Sequence, residues 1–156
     1  MDELLARYEE WNDFLIRIRD EDWNVPLGEG KWSIHDVVSH ILFWDRYFRE
    51  TAVERIAQGL NPTWNELDFD RFNREAAEKG RRLSKEELIE QTRKCRKAIL
   101  DTIRSMDEVR RSGTYTDADG EAFDLEAYLK EFVDHDRHHM RQIEEVLLTS
   151  GRSRPE

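Results

Sequence analysis

The amino-acid sequence predicts an all-α protein, a four-helix bundle with a long connection between its second and third helices. Apolar residues recur at helical spacing in four long stretches. Three of those stretches open on side chains suited to capping a helix. Gly and Pro are few, seven and three among 156 residues, and the chain contains neither a low-complexity tract nor a repeat of fixed period. Residues 1–150 are read as one domain, long enough to bury most of its unfolded surface, and residues 151–156 as a flexible C-terminal tail.

The first stretch is Leu4, Tyr8, Trp11, Leu15 and Ile18, with Glu9, Glu10, Arg17 and Arg19 on the opposite side, a helix of about five turns. Pro26, Gly28 and Gly30 make residues 21–31 a loop. Ser33 with Asp36 forms a capping-box pattern and starts the second helix. Its stripe is Ile34, Val37, Val38, Ile41, Trp44, Phe48 and Ala52, and it stops at Gly59 and Asn61-Pro62. From Pro62 to Leu83 the chain is aromatic and charged, and Trp64, Phe69 and Phe72 are spaced for a short, irregular extra helix across the bundle. Ser84 with Glu87 opens the third helix, with Leu88, Thr92, Cys95, Ile99, Ile103 and Met106 facing inward. Residues 110–121 are polar and turn-rich. Asp124 caps the fourth helix, whose inner positions are Leu125, Leu129, Phe132, Asp136, His139, Ile143 and Leu147. The connection of residues 62–83 exceeds a bundle turn, so a crossover topology fits better than simple up-and-down order.

Thirty-five acidic against twenty-five basic side chains give a formal charge of -10, which repels nucleic acid and anionic membrane surfaces. Apolar runs are interrupted by charge too often for a membrane span, and the start of the chain lacks the pattern of a secretory signal, so a cytoplasmic location is expected. The one cysteine, Cys95, excludes an internal disulfide and a thiolate zinc cluster, and its inward position suits inert packing. Any metal must be held by His and carboxylates.

Three of the five histidines fall in His135-Asp136-Arg137-His138-His139. A step of four residues advances ~40° past a full turn and rises ~6 Å, so His135 and His139 share a helix face and can share an ion at bonds of ~2 Å. His139 lies within the apolar arc and His135 at its edge, while His138 projects to solvent with Arg141 and Glu145. His40 is a lone histidine on the apolar second helix, and contact between the second and fourth helices would bring the three imidazoles into one layer. Such a set suits divalent Zn, Ni, Fe or Co and leaves a coordination position open, the mark of a catalytic site. His35 lies off the stripe and is expected to be solvated, without a role.

Asp45 and Asp136 fall near the middle of apolar stripes and need partners. They are read either as acceptors for ligand N–H groups or acid/base groups near the metal, or as ion-pair partners of Arg46, Arg49 or an arginine of the first helix. Trp44 and Tyr47 share the His40 side of the second helix and are candidates for lining a ligand pocket. Asp117-Ala118-Asp119-Gly120 resembles the start of a calcium loop, but the closing Glu is missing, and a turn is the better reading. His135-Asp136 lacks the later Asp of an HD-type phosphohydrolase, and Asp136 is too short to replace the Glu of a zincin helix.

The run Trp32-Ser33-Ile34-His35-Asp36-Val37-Val38-Ser39-His40-Ile41-Leu42-Phe43-Trp44-Asp45, with His135-Asp136-Arg137-His138-His139-Met140-Arg141-Gln142-Ile143, resembles the two signatures of the DinB-like (YfiT-type) four-helix superfamily. Trp64-Asn65-Glu66 through Asn73 is also similar to the middle segment of its colibactin-resistance-protein-like branch. The resemblance implies an up-down-down-up bundle, often dimeric, and a divalent metal on His40, His135 and His139. It also implies metal-dependent hydrolysis, or transfer of a low-molecular-weight thiol such as bacillithiol or mycothiol to an electrophilic small molecule. The expectation is therefore a metal-dependent hydrolase or thiol transferase acting on a small molecule, most simply as a homodimer. The alternative is a stress-response or ligand-binding bundle without turnover.

Overall fold

The computed structural model describes residues 1–151. Helix α1, Asp2–Ile16, buries Leu5, Tyr8, Trp11, Phe14 and Leu15 along one face. It ends before the predicted last turn, yet Ile18 stays buried beyond it. A short 3-10 turn, Asp20–Asp22, leads into Trp23, and the loop is tied to the next helix by Ile34 N–H to the Val25 carbonyl (3.0 Å) and His35 N–H to the Trp23 carbonyl (3.1 Å).

Helix α2, Ile34–Phe48, starts with the capping box formed in full: the Ser33 hydroxyl accepts from the Asp36 amide and the Asp36 carboxylate from the Ser33 amide. Beyond Phe48 the helix widens into a π turn, Arg49–Val53, and closes with α3, Glu54–Ala57. The widened turn leaves the Thr51 carbonyl to accept the Thr63 amide at 2.8 Å, which ties the long connection back onto the helix. Gly59, at a φ of 77°, turns the chain away where a residue with a Cβ would be strained.

The connection is more regular than the sequence predicts. Asp68 caps α4, a helix of twelve residues, Phe69–Gly80, which packs along α2. The approach is close enough that a Cβ on Gly80 would overlap the Ser39 side chain. Helix α5, Lys85–Ser105, carries the second complete capping box, Ser84 with Glu87, and buries Leu88, Thr92, Cys95, Arg96, Ile99, Leu100 and Ile103. The polar stretch that follows holds a helical turn, α6 Glu108–Arg111, and a small antiparallel hairpin, β1 Tyr115–Thr116 with β2 Ala122–Phe123. Asp124 then caps α7, Leu125–Thr149.

The four long helices α1, α2, α5 and α7 enclose one hydrophobic core. α1 packs against α5 and α7, and α2 packs against α4 and α5. α2 meets α7 through large side chains: Phe48 lies on Phe132 with ring centroids 4.8 Å apart, and His40 faces His135 and His139. No helix among the described residues is long and apolar enough to cross a membrane. Of the expected tail, residues 152–156 lie outside the described residues.

Candidate metal centre

Three imidazoles converge between α2 and α7. The ring of His40 stands edge-on to His135 at 5.2 Å and to His139 at 5.1 Å, and one nitrogen of each histidine lies within 4.8 Å of the others. His139 Nε2 and His135 Nε2 are 3.1 Å apart. Two nitrogens bonded tetrahedrally to one ion at ~2.05 Å would sit ~3.3 Å apart, so the pair is already spaced as ligands are.

The far nitrogens of two rings are occupied. His40 Nδ1 lies 2.6 Å from the Val37 carbonyl, which can only accept, so Nδ1 carries the proton and Nε2 presents its lone pair to the cluster. His139 Nδ1 likewise donates to Gln142 Oε1 at 3.0 Å. These contacts fix ring orientation and tautomer, the task outer partners perform at metal sites. Burial, reinforced by the neighbouring imidazoles, pushes His40 down to about 3 and His135 down to about 4. Burial also lowers His139. All three rings are therefore neutral near pH 7, the state that binds a metal. Trp32 lies against His40, with ring centroids 5.1 Å apart. The donor set fits a divalent transition metal.

Asp45 and Asp136 do not serve the histidines. Both are buried, and both bind Arg96 of α5, in place of the arginines considered from the sequence. Arg96 Nε donates to Asp45 Oδ2 at 2.8 Å, its Nη1 to Asp136 Oδ2 at 2.6 Å and its Nη2 to Asp136 Oδ1 at 2.9 Å. The Tyr8 hydroxyl adds a bond to Asp45 Oδ1 at 2.8 Å. Burial works against the guanidinium charge, but the two carboxylates hold its pKa well above the ordinary arginine value. Their oxygens are engaged in this way by Arg96 and Tyr8, the ion-pair arrangement that the sequence left open beside an acid/base role.

His35 is a second correction. It is buried rather than solvated: Trp23 Nε1 donates to His35 Nδ1 at 2.6 Å, and His35 Nε2 donates to the Gly80 carbonyl at 2.7 Å. It joins the loop, α2 and α4, and takes no part in the triad. His138 is exposed, as expected. Cys95 is buried on α5, where loss of solvent pushes its thiol up to about 12, far from a nucleophile's range.

His135 also lines a cleft of about 1020 Å³. Trp44 forms part of its wall and donates Nε1–H to Asn73 Oδ1 at 2.7 Å. Tyr47 stands behind the wall as a strut. Its hydroxyl donates to Asn65 Oδ1 at 2.6 Å and accepts from the Asn65 amide at 3.1 Å, holding the strand of connection that carries Trp64. The hairpin closes the rim, with the Ala118 amide donating to the Trp64 carbonyl and the Glu66 amide to Asp119 Oδ2.

Fold and site together define a helical bundle with a three-histidine centre of the metal-binding kind at the foot of a cleft. The chain belongs to the DinB superfamily, whose family model matches residues 3–143. Among solved structures it is similar to YfiT from Bacillus subtilis, described as a probable metal-dependent hydrolase with an unusual four-helix bundle topology. The TM-score is 0.75 at 19% identity, covering 97% of this chain and 88% of that one. It is also similar to the mycothiol-dependent maleylpyruvate isomerase, with a TM-score of 0.68 at 15% identity, covering 95% of this chain and 66% of that one. At these identities the likeness is one of fold. No curated protein matches the sequence.

Proposed function

We propose that the protein is a metal-dependent enzyme of its superfamily, a hydrolase or thiol transferase acting on an electrophilic small molecule admitted through the cleft. The observation that carries this reading is the convergence of three neutral imidazoles, His40, His135 and His139, at a place where only His135 reaches the cleft. A divalent ion held by these rings would supply Lewis acidity and make water or a low-molecular-weight thiol nucleophilic at neutral pH. The chain's own part is positional. The Val37 carbonyl and Gln142 orient two ligand rings, and Trp32 packs against the His40 ring. Substrate entering the cleft would meet the centre at His135. The names of the structural neighbours, a probable metal-dependent hydrolase and a mycothiol-dependent isomerase, support a metal-dependent reaction in which water or a thiol takes part.

Elemental analysis of untagged protein, soaked in zinc or nickel and desalted, should find about one equivalent of metal per chain, and less than about a tenth in His139→Ala or His40→Ala. Wild type that stays below a tenth of an equivalent would overturn the reading. Metal-loaded protein should then hydrolyse activated esters or consume thiol in the presence of an electrophile, and chelation should stop either reaction.

A further inference from the structure

The geometry points to a substrate that carries a positive charge next to a flat or aromatic body. The inference deepens the proposed function by naming the chemical class its cleft selects, and it rests on the reading that this cleft feeds the triad. The inner walls are aromatic: Trp44, Trp64, Tyr128 and Phe132 all line the cavity, and Phe69 stands half-exposed at its mouth. Trp44 and Trp64 lie with ring centroids 6.1 Å apart, and Trp64 meets Tyr128 at 5.2 Å, so the rings join into one continuous aromatic box.

The rim carries only one sign of charge. Glu66, Asp117, Asp119, Glu121 and Glu131 line the cleft, and neither Lys nor Arg does. Among the described residues none of these five carboxylates forms an ion pair with a basic side chain, although ion pairs are plentiful elsewhere on the surface. They come from three separate segments, the connection, the hairpin and α7, so the clustering is a property of the cleft and not of one acidic stretch. The Tyr128 hydroxyl registers the same field: burial raises its pKa, and Asp117 and Glu131 raise it further.

Aromatic faces backed by carboxylates are the arrangement that binds organic cations, through the ring quadrupole and direct charge attraction. An anionic substrate would enter against five unpaired charges. A primary, secondary or quaternary amine attached to an aromatic or planar body would satisfy both parts of the cleft, leaving its electrophilic carbon toward His135.

The test titrates three probes of similar size and different charge, benzyltrimethylammonium, benzyl alcohol and benzoate, into zinc-loaded wild type and into metal-free His139→Ala at low ionic strength, and the charge comparison is read in the latter, where benzoate has no zinc to coordinate. Saturation-transfer NMR and tryptophan fluorescence report binding. The quaternary cation cannot coordinate a metal, so its affinity reports the box alone. It should bind about tenfold more tightly than benzyl alcohol and more tightly still than benzoate. Salt should weaken that preference. Glu121→Gln with Glu131→Gln should reduce it severalfold; neither side chain holds a backbone hydrogen bond, unlike Asp117 and Asp119, so the fold is kept. His139→Ala should keep the cation preference while losing metal, which separates failure here from failure of the metal reading. Equal or tighter binding of benzoate, no binding of any probe, or a preference untouched by the two substitutions would overturn the inference.

Discussion

Helices α2 and α7 each contribute to two polar clusters, and the clusters differ in whether their bonding is complete. Around Arg96 everything is satisfied. The guanidinium makes five hydrogen bonds, to Asp45, to Asp136 and to the Tyr8 carbonyl, which accounts for each of its N–H groups. Around His40, His135 and His139 the outer nitrogens of two rings are engaged and the inner ones point at one another. A closed network has nothing left to offer a ligand, whereas neutral imidazoles with converging lone pairs attract a cation. The sequence marks both places the same way, with polar residues on apolar stripes, and only the count of unused bonds separates structure from function.

The largest effect should come from breaking the closed cluster. Arg96→Met leaves Asp136 without its buried partner and Asp45 with only the Tyr8 hydroxyl, and the loss of one member of such a network costs about 3–5 kcal/mol. Urea unfolding should show most of the fold's stability gone, and a variant as stable as wild type would mean that the aspartates are solvated. By contrast, His139→Ala in metal-free protein should unfold close to metal-free wild type, since that ring is only partly buried and no ion pair depends on it.

The open cluster should respond to metal instead. At a free metal concentration 100 times its dissociation constant, binding to the native state alone adds about 2.7 kcal/mol. Differential scanning calorimetry should therefore show wild type melting higher with zinc or nickel than with chelator, and His139→Ala melting at one temperature in both. Identical curves for wild type would remove the distinction between the clusters.

A smaller effect is expected where the cleft wall is braced. Tyr47→Phe deletes the hydroxyl that grips Asn65, a change worth about 1 kcal/mol in stability. Hydrogen exchange should speed up at the Asn65 amide and leave the α5 core unchanged. If exchange at Asn65 stays slow, the hairpin contacts alone hold the wall.

How much of this was legible follows from what each signal depends on. His135 and His139 are visible because a four-residue step is local geometry, and His40 because a lone histidine interrupts an apolar stripe. Both capping boxes form as their patterns indicate, for the same local reason. Arg96 was missed although it sits four residues after Thr92 and three before Ile99, inside the stripe of α5. Two inward aspartates on other helices require an inward cation, and Arg96 is the arginine that lies on an inner stripe, whereas Arg46, Arg49 and those of the first helix do not. His35 could not be placed from a helical wheel, because the face it occupies is off the main stripe and becomes buried only when α4 packs on it. The hairpin has strands of two residues, too short for any alternation to show. Trp44 was legible as a pocket residue, but the acidic rim of the cleft was not, because it is assembled from three segments whose proximity is tertiary.

The smallest effect is expected at His138, and it bears on the comparison as directly as the large ones. His138 sits beside His139 on the same helix, with ring centroids 5.2 Å apart, and belongs to the same histidine-rich run. If the run were a loose surface patch that gathers metal by composition, removing any of its histidines would weaken binding alike. The structure instead gives His135 and His139 one face and leaves His138 exposed. His138→Ala should then keep its full equivalent of metal and stay within about 0.5 kcal/mol of wild type in stability, as surface substitutions do. Metal content that falls as far in His138→Ala as in His139→Ala would show that composition, and not the layer built with His40, governs the site.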